Sequence, residues 1–317
     1  MVPTILDTSE DRTSGQLVTT KLRFGTEDVF VPNFDEVWLV SARDIEAPVC
    51  GPCNFGDLKC SQLICGEFVN QDLSKLVTAH TRDLSKSTII YVHGNRTDLD
   101  YAKSRSLQMY DNLFGHQNCE RNCCQRQPLR FVIFAWKSES EISRLIPDFK
   151  LKTDRSLIVA DAFTSLLNRF EDRNMLLLGY SLGAQIVLKG LEVPAGVETT
   201  PGQFRVGLIA PSLSPAYVDD GLSCLPFNAA VNTTRAFVNR NDRAIRVSNL
   251  ILKTKVRRQP DPLEEVACLG QQLGGVNPIS IVDVTAEVSR CHSIVKYTAD
   301  SNLIQSQILK MIKSLPR

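Results

Sequence analysis

The sequence lacks the features that mark membrane-spanning, exported or nucleic-acid-binding chains. No apolar run approaches the ~20 residues that a helix needs to cross a bilayer. The first residues, MVPTILDTSEDRTSGQ, contain neither a basic segment nor an apolar stretch of the kind found in secretory signals. Charge of one sign is not in excess either, since 36 Lys and Arg face 35 Asp and Glu and leave a net charge of +1. These absences predict a cytoplasmic protein with no membrane or nucleic-acid partner, and they leave its oligomeric state open.

Cysteine is abundant, with ten residues that fall largely in two clusters, but a disulfide framework is not expected because an export signal is missing. The first cluster has the spacing C-x2-C-x6-C-x4-C, and short pairs of thiolates suit tetrahedral zinc. Its second pair is widely spaced for such a site, and the residues after the first pair are a poor helix start for a redox motif. Unpaired thiols are therefore favoured, and no cofactor or metal is expected. The clustered cysteines are Cys50, Cys53, Cys60 and Cys65, then Cys119, Cys123 and Cys124.

Apolar runs alternate with helical patterns along most of the chain, and this alternation predicts an α/β protein. Ser87-Thr88-Ile89-Ile90-Tyr91-Val92 is a β-branched run typical of a buried parallel strand. The segment 99–114 has apolar residues at helical spacing, with Asp98 as the expected N-cap. We expect a mostly parallel sheet with helices on both faces, preceded by antiparallel strands at 16–24 and 29–40 at one edge. Further strands are expected at 129–136, 175–178, 204–210, 236–238 and 278–284, and further helices at 151–170 and 302–312.

One stretch carries a recognisable chemical motif, Gly179-Tyr180-Ser181-Leu182-Gly183, which lies between a strand pattern and a helix pattern. A serine hydroxyl is a poor nucleophile and must be held where a base can reach it. A sharp strand-to-helix turn does this, but it crowds the backbone on either side, where glycine avoids a clash. The following helix also directs its free N–H groups at the place where an oxyanion would develop. The motif therefore predicts Ser181 as a nucleophile.

A serine nucleophile needs a general base, and the chain has only four histidines. In one large class of serine hydrolases the chain order is nucleophile, acid, base, with the base in the loop after the last strand. His292 alone follows both the serine and the last predicted strand, so we expect it to be the base. The acid should follow a later strand, and Asp242 comes directly after an apolar strand and a polar turn. The other candidates are Asp219, Asp220, Asp261 and Asp283, and the other histidines are His80, His93 and His116.

The oxyanion of such a reaction needs two backbone donors. The N–H of Leu182, which follows the nucleophile, is the first. The second should come from the loop after the earlier buried strand, where Gly94 lets the backbone approach the substrate and Asn95 supplies an N–H. His93 is expected to brace that loop rather than to act as a second base.

These residues together resemble the α/β-hydrolase superfamily. The resemblance rests on Tyr91-Val92-His93-Gly94-Asn95, on the glycine-flanked Ser181, on Asn241-Asp242 and on His292-Ser293, and it runs from about residue 87 to the C-terminus. It is greatest to bacterial α/β-hydrolases of unknown function. Asn95-Arg96 and Ala135-Trp136-Lys137 depart from the family pattern without touching a catalytic role. The resemblance implies a serine hydrolase of ester or amide bonds in a small-molecule substrate and does not identify the substrate.

The chain is long enough for one large domain, and we expect a single α/β-hydrolase domain over 1–317. Within it, 1–15 is expected to be a loose tail, 50–86 a cysteine-containing insert and 87–317 the catalytic core. The inserts 50–86 and 253–277 are interpreted as irregular and not as separate domains; in the first of them, Gly, Pro, Asn and Asp interleave with the cysteines up to Cys65, which is typical of a loop.

The favoured function is a carboxylesterase-like serine hydrolase that works through an acyl-enzyme. Thioester and amide cleavage, peptidase and acyltransferase activity stay open within that class. The alternative is a non-catalytic α/β-hydrolase-fold protein that binds a ligand or partner. A zinc or thiol-redox protein built on the cysteine segment is a third hypothesis.

Overall fold

A computed structural model describes residues 4–5, 19–24, 27–45, 58–115, 127–170, 174–192, 204–213, 231–252 and 279–315. The strands are β1 (Thr4–Ile5), β2 (Thr19–Phe24), β3 (Glu27–Pro32), β4 (Glu36–Ser41), β5 (Lys59–Ile64), β6 (Glu67–Gln71), β7 (Ser87–Val92), β8 (Leu129–Ala135), β9 (Met175–Tyr180), β10 (Phe204–Ile209), β11 (Val231–Val238) and β12 (Ile279–Asp283). The helices are α1 (Leu73–Arg82), α2 (Leu99–Phe114), α3 (Leu145–Leu167), α4 (Leu182–Gly190), α5 (Arg243–Leu252), α6 (Ile294–Asp300) and α7 (Asn302–Lys313).

A nine-stranded sheet organises the described part of the chain, in the order β12-β11-β10-β9-β7-β8-β4-β5-β6. The seven strands from β12 to β4 in this order all run parallel to one another. β5 pairs antiparallel with β4, and β6 pairs antiparallel with β5. All residues of β7, β8, β9 and β10 are buried, as expected for strands with helices on both faces. The predicted α/β-hydrolase fold class, a mostly parallel sheet with helices and a few antiparallel strands, is confirmed.

The N-terminal strands lie elsewhere than the sequence suggested. Segment 29–40 contains two strands, because a turn closed by the Asp35 N–H and the Pro32 carbonyl separates β3 from β4. β4 then enters the main sheet parallel to β8, while β1, β2 and β3 form a separate three-stranded antiparallel sheet. The antiparallel edge of the main sheet is made instead by β5 and β6.

The interpretation of 50–86 as irregular is wrong for the part that the structure describes. β5 and β6 form a hairpin whose two-residue turn is Cys65-Gly66, with φ of 48° and 86°. Two positive φ values match the twist that such hairpins need. α1 follows, with the Asp72 carboxylate accepting the Ser74 N–H at 2.7 Å. Cys50 and Cys53, the second cysteine cluster and segment 253–277 lie outside the described residues, as does the proposed tail 1–15 apart from β1.

Two apolar layers cover the sheet. On one face α1, α3 and α4 pack against Val92, Phe134 and Leu177, and on the other α2, α6 and α7 pack against Tyr91, Phe131 and Leu178. Successive strand residues thus point into different layers, and this explains why the sequence shows continuous apolar runs. No helix among the described residues is long and apolar enough to cross a bilayer.

Candidate active site

Ser181 lies at the sharp turn between β9 and α4, with φ of 53° and ψ of −123°. Its N–H donates to the Ile209 carbonyl at 3.1 Å, which ties the turn to the neighbouring strand. The flanking glycines leave room for this turn. A Cβ on Gly179 would lie 2.6 Å from the Ala184 Cα, and one on Gly183 would lie 2.3 Å from the Val92 carbonyl oxygen. The turn thus requires glycine at both positions and presents the serine at the carboxyl edge of the sheet.

His292 and Asp242 meet Ser181 at this edge. The Ser181 Oγ lies 3.1 Å from His292 Nε2, and His292 Nδ1 lies 2.7 Å from Asp242 Oδ2. Asp242 is fully buried at the start of α5, where its Oδ1 accepts the N–H groups of Ala244 and Ile245 at 2.9 and 3.2 Å. The structure therefore brings together the three side chains that the sequence proposed, although they are far apart in the chain.

Two tyrosines that the sequence reasoning missed support this arrangement. The Tyr297 hydroxyl donates to Asp242 Oδ2 at 2.7 Å, beside the bond from His292. The Tyr180 ring stacks on the His292 ring, with 5.0 Å between centroids. Burial raises the pKa of Tyr180 well above its usual 10, and burial together with the Asp242 charge raises the pKa of Tyr297. Both phenols therefore stay neutral, so Tyr297 keeps its proton to donate.

The loop after β7 lies against the nucleophile. A Cβ on Gly94 would lie 2.9 Å from the Ser181 Cβ, so this residue must be small. Ser138, which follows the neighbouring strand β8, holds this loop through two hydrogen bonds. Its Oγ donates to the Gly94 carbonyl at 3.0 Å, and its carbonyl accepts the Arg96 N–H at 2.7 Å. Asn95 Oδ1 accepts the same Arg96 N–H at 2.8 Å. On the opposite side, Leu182 begins α4, so its N–H is one that a helix leaves without an internal acceptor.

His93 braces this loop, as the sequence suggested. Its Nδ1 lies 2.9 Å from the Gly94 carbonyl oxygen, which can only accept, so Nδ1 carries the proton. Its Nε2 accepts the Trp136 N–H at 3.1 Å, and the Trp136 indole donates to the His93 carbonyl at 2.8 Å. Burial lowers the pKa of His93 from 6.5 to about 4. His93 is thus a neutral link between the loop and the end of β8, with both ring nitrogens engaged.

The remaining candidate residues lie away from this cluster or outside the described residues. His80 is buried in α1, where its Nδ1 lies 2.9 Å from the Thr88 hydroxyl. Asp283 ends β12 and pairs with Arg240 at 3.3 Å on the surface. Burial and the Asp72 charge raise the pKa of the Cys60 thiol to about 12, which disfavours a thiolate there. In the described ranges, no group of three His, Cys, Asp or Glu residues could hold a metal ion. His116, Asp219, Asp220 and Asp261 lie outside the described residues.

A cavity of about 240 Å³ opens beside His292 and the loop after β7. His292, Ser293 and Ile294 line one side, and the side chains of α2 line another. Space of this size next to the serine–histidine pair can hold part of a small substrate.

Comparison with known proteins places the fold in a family. No curated protein matches the sequence. A solved structure described as the "putative cell surface hydrolase from Lactobacillus plantarum WCFS1" aligns with a TM-score of 0.38 and 13% identity, over 72% of this chain and 90% of that chain. The family model described as "Alpha/beta hydrolase of unknown function (DUF900)" matches residues 70–311. That match spans far more than half of the sequence, and the chain therefore belongs to this family of α/β-hydrolases.

Proposed function

We propose that this protein is a carboxylesterase-like serine hydrolase, with Ser181 as nucleophile, His292 as general base and Asp242 as the orienting acid. Membership of an α/β-hydrolase family supports a hydrolase, and the finer assignment rests on one observation. An unbroken hydrogen-bonded chain runs from Ser181 Oγ through the His292 ring to Asp242 Oδ2, with distances of 3.1 and 2.7 Å. A nucleophile, a base that reaches it and a third group that orients the base are the parts that acyl transfer needs.

Acylation begins when Ser181 Oγ attacks the substrate carbonyl carbon. The hydroxyl proton passes to His292 Nε2 as the new C–O bond forms, and the carbonyl oxygen takes up the negative charge. The N–H groups of Leu182 and Asn95 are the proposed donors to this oxyanion, with Gly94 giving the substrate room to approach. The tetrahedral intermediate then collapses, the bond to the leaving group breaks, and the proton moves from Nε2 to that group.

Deacylation repeats the sequence with water. A water molecule attacks the acyl carbon and gives a proton to His292 Nε2. The second intermediate collapses, the bond to Ser181 Oγ breaks, and the proton returns to the serine as the carboxylic acid leaves. Esters, thioesters and amides share these steps and differ in the leaving group, so all three stay within the proposal.

Asp242 keeps the imidazole in the tautomer that these steps require. With the Nδ1 proton held by Asp242 Oδ2, the lone pair of Nε2 faces the serine. The carboxylate is itself held at both oxygens, since Oδ1 caps α5 and Oδ2 also accepts from Tyr297. A buried carboxylate with this many donors is held in one position.

Labelling with a fluorophosphonate tests the proposal, because this reagent bonds to an activated serine much faster than to an ordinary one. We expect one modification per chain, mapped to Ser181, and none in Ser181→Ala. Ser212→Ala is the matched control, because the Ser212 hydroxyl is buried nearby and pairs with Ser248 at 3.1 Å. Full labelling of Ser181→Ala would show that another residue is the nucleophile. A folded wild type that is neither labelled nor active on any activated ester would favour a binding protein.

A further inference from the structure

The cavity beside His292 carries a positive charge. In the part of its lining that the structure describes, Arg96 and Arg105 are the charged side chains, and no carboxylate is among them. Two acids at the start of α2 have partners outside the cavity lining or in the helix backbone: the N-cap Asp98 accepts the Tyr101 N–H at 2.7 Å, and Asp100 lies 4.0 Å from Lys103. The cavity therefore offers a site where an anion would meet cations without competition from the protein's own carboxylates.

Arg105 is held in place by neutral groups. Its guanidinium lies over the Tyr101 ring, with 4.9 Å from Cζ to the centroid, and donates to Gln108 Oε1 at 2.9 Å. Both contacts orient the guanidinium without cancelling its charge, and the remaining N–H groups of its planar fork can bind a carboxylate or phosphate. Tyr101 and Arg105 are four residues apart and so share one face of α2.

Ser106 adds a second, independent observation. Its side chain is 1% exposed, it lines the same cavity, and its hydroxyl has no hydrogen-bond partner in the described structure. Buried hydroxyls are nearly always paired, so a lone one at a cavity wall indicates a partner that enters the cavity.

Arg96 has an unusual backbone for its residue type. Its φ is 58°, in the left-handed region that favours glycine or asparagine. The bonds of its N–H to Ser138 and Asn95 hold it there. An arginine at such a position is consistent with a need for its side chain at the cavity.

We propose that the substrate carries a negatively charged group, a carboxylate or phosphate, which binds in the cavity between Arg96, Arg105 and the Ser106 hydroxyl. This inference rests on the proposed serine hydrolase, because it concerns the part of the substrate next to the scissile bond. The charge lies in the acyl part or in the leaving group, and matched substrates distinguish the two.

Steady-state kinetics with two pairs of esters test the inference. One pair is mono-4-nitrophenyl adipate and its neutral methyl ester, and the other is 3-carboxyphenyl butyrate and its neutral methyl ester. The ratio of kcat/KM for the anionic and the neutral member is compared between enzymes, so intrinsic reactivity cancels. In Arg105→Gln and Arg96→Gln we expect this ratio to fall by about tenfold to a hundredfold for one pair, as for the loss of a charge-assisted hydrogen bond.

Two further variants separate a binding role from a structural one. Arg82→Gln removes the same charge from an exposed position on α1 and should leave the ratio unchanged. Arg96→Gly relieves the positive φ, so it should lower the ratio without lowering the thermal midpoint. A ratio that is the same in the wild type and in all arginine variants, for both pairs, would overturn the inference.

Binding to Ser181→Ala makes the test independent of turnover. By calorimetry, monomethyl adipate or 3-hydroxybenzoate should bind to this variant, and dimethyl adipate should bind at least tenfold more weakly than monomethyl adipate. When Arg96→Gln and Arg105→Gln are added, the two adipate esters should bind with equal affinity. If the wild type is neither labelled by the fluorophosphonate nor active on any activated ester, the proposed function fails, yet arginine-dependent binding of the anion still supports the site. Absence of anion binding to Ser181→Ala overturns the anion site, whatever the kinetics show.

Discussion

Asp242 is the residue whose replacement tests the proposed chemistry with the least change in shape. In Asp242→Asn the amide cannot hold the Nδ1 proton as the carboxylate does, so His292 can present the wrong tautomer to Ser181. By the precedent of a serine protease, we expect kcat to fall on the order of 10⁴-fold. Steady-state kinetics on a neutral activated ester measures this, and Asp283→Asn, a surface carboxylate at the end of β12, is the control. Near-full activity of Asp242→Asn would refute the assignment, and loss in Asp219→Asn or Asp220→Asn would move the acid to the preceding strand.

Tyr297 should influence the rate through Asp242 without touching the substrate. Tyr297→Phe removes the hydroxyl that donates to Oδ2 at 2.7 Å and keeps the ring. We expect kcat to fall by about tenfold with little change in KM, and the free energy of unfolding to fall by about 1 kcal/mol. In an Asp242→Asn background, Tyr297→Phe should lower kcat by a smaller factor. The Tyr297 hydroxyl acts through the Asp242 carboxylate, which that background has already lost. An equal cost in both backgrounds would mean that the Tyr297 hydroxyl acts independently of Asp242.

His93 should make the protein sensitive to mild acid. Burial lowers its folded-state pKa from 6.5 to about 4, so the unfolded chain binds a proton before the folded one does. The stability that neutral His93 contributes is therefore complete above about pH 6.5 and is lost as the pH falls to about 4, at a cost of about 3 kcal/mol. Urea unfolding at several pH values should show this slope in the wild type. His93→Gln should show a smaller slope, and an unchanged slope would assign the effect to another group.

At the scale of elements, the approach of α4 to β7 depends on Gly183. Its missing side chain lets the start of α4 lie against the backbone, where a Cβ would be 2.3 Å from the Val92 carbonyl oxygen. Gly183→Ala should therefore displace α4 from the strand, destabilise the protein by about 1–3 kcal/mol and reduce labelling of Ser181. Gly207→Ala is the comparison, because its Cβ would meet the flexible end of Leu178 at 2.7 Å. Equal effects of the two changes on labelling would contradict this account of the turn.

Elements with strong local signals could be predicted from the sequence. α2 begins and ends as expected because the Asp98 carboxylate caps it at the Tyr101 N–H and its apolar face repeats at helical spacing. The apolar run 87–92 predicts β7 to the residue, since it ends at a polar loop. The hairpin of β5 and β6 was missed because its turn is Cys65-Gly66 rather than the usual Asn-Gly or Asp-Gly. α6 was missed because its seven residues are too few to show a period.

The residues of the site also divide into those with a signal in the sequence and those without one. Ser181, Asp242 and His292 could be proposed because a motif and a chain order pointed to them, and the structure brings their side chains into contact. Tyr297 could not, because it lies 55 residues from Asp242 and nothing local distinguishes it from other aromatic residues of the core. Ser138 was missed for the same reason, since its contact with Gly94 is set by the neighbouring strands β7 and β8. Long-range packing selects such residues, and a single sequence does not show it.

At the scale of the whole molecule, the parallel order of the strands is what assembles the site. β7, β9 and β11 all run in one direction, so the loops that follow them open at the same edge of the sheet. The loop after β7 gives Gly94, the turn after β9 gives Ser181 and the turn after β11 gives Asp242. Ligands of open α/β sheets bind at this edge, where the carboxyl ends of the strands meet.

The same sheet shows how much of the chain the fold requires. The proposed core 87–317 would lack β4, which pairs along its full length with β8. β4 also buries Trp38 and Val40 in the apolar layer formed with α1, α3 and α4. A fragment of 87–317 would expose β8, a fully buried strand, as a new edge with unpaired backbone groups. We expect that fragment to aggregate or to unfold without cooperativity, whereas a fragment of 19–317, which loses only β1 among the described elements, should keep the fold.

Size-exclusion chromatography, near-ultraviolet circular dichroism and fluorophosphonate labelling of the two fragments provide the measurement. Labelling is the most specific of the three measurements, because under the proposed mechanism it requires Ser181, His292 and Asp242 in their native places. The 19–317 fragment should be labelled as the full chain is, and the 87–317 fragment should not. Cooperative unfolding and full labelling of 87–317 would mean that β8 tolerates an open edge, and that β4, β5 and β6 extend a sheet that is already complete without them.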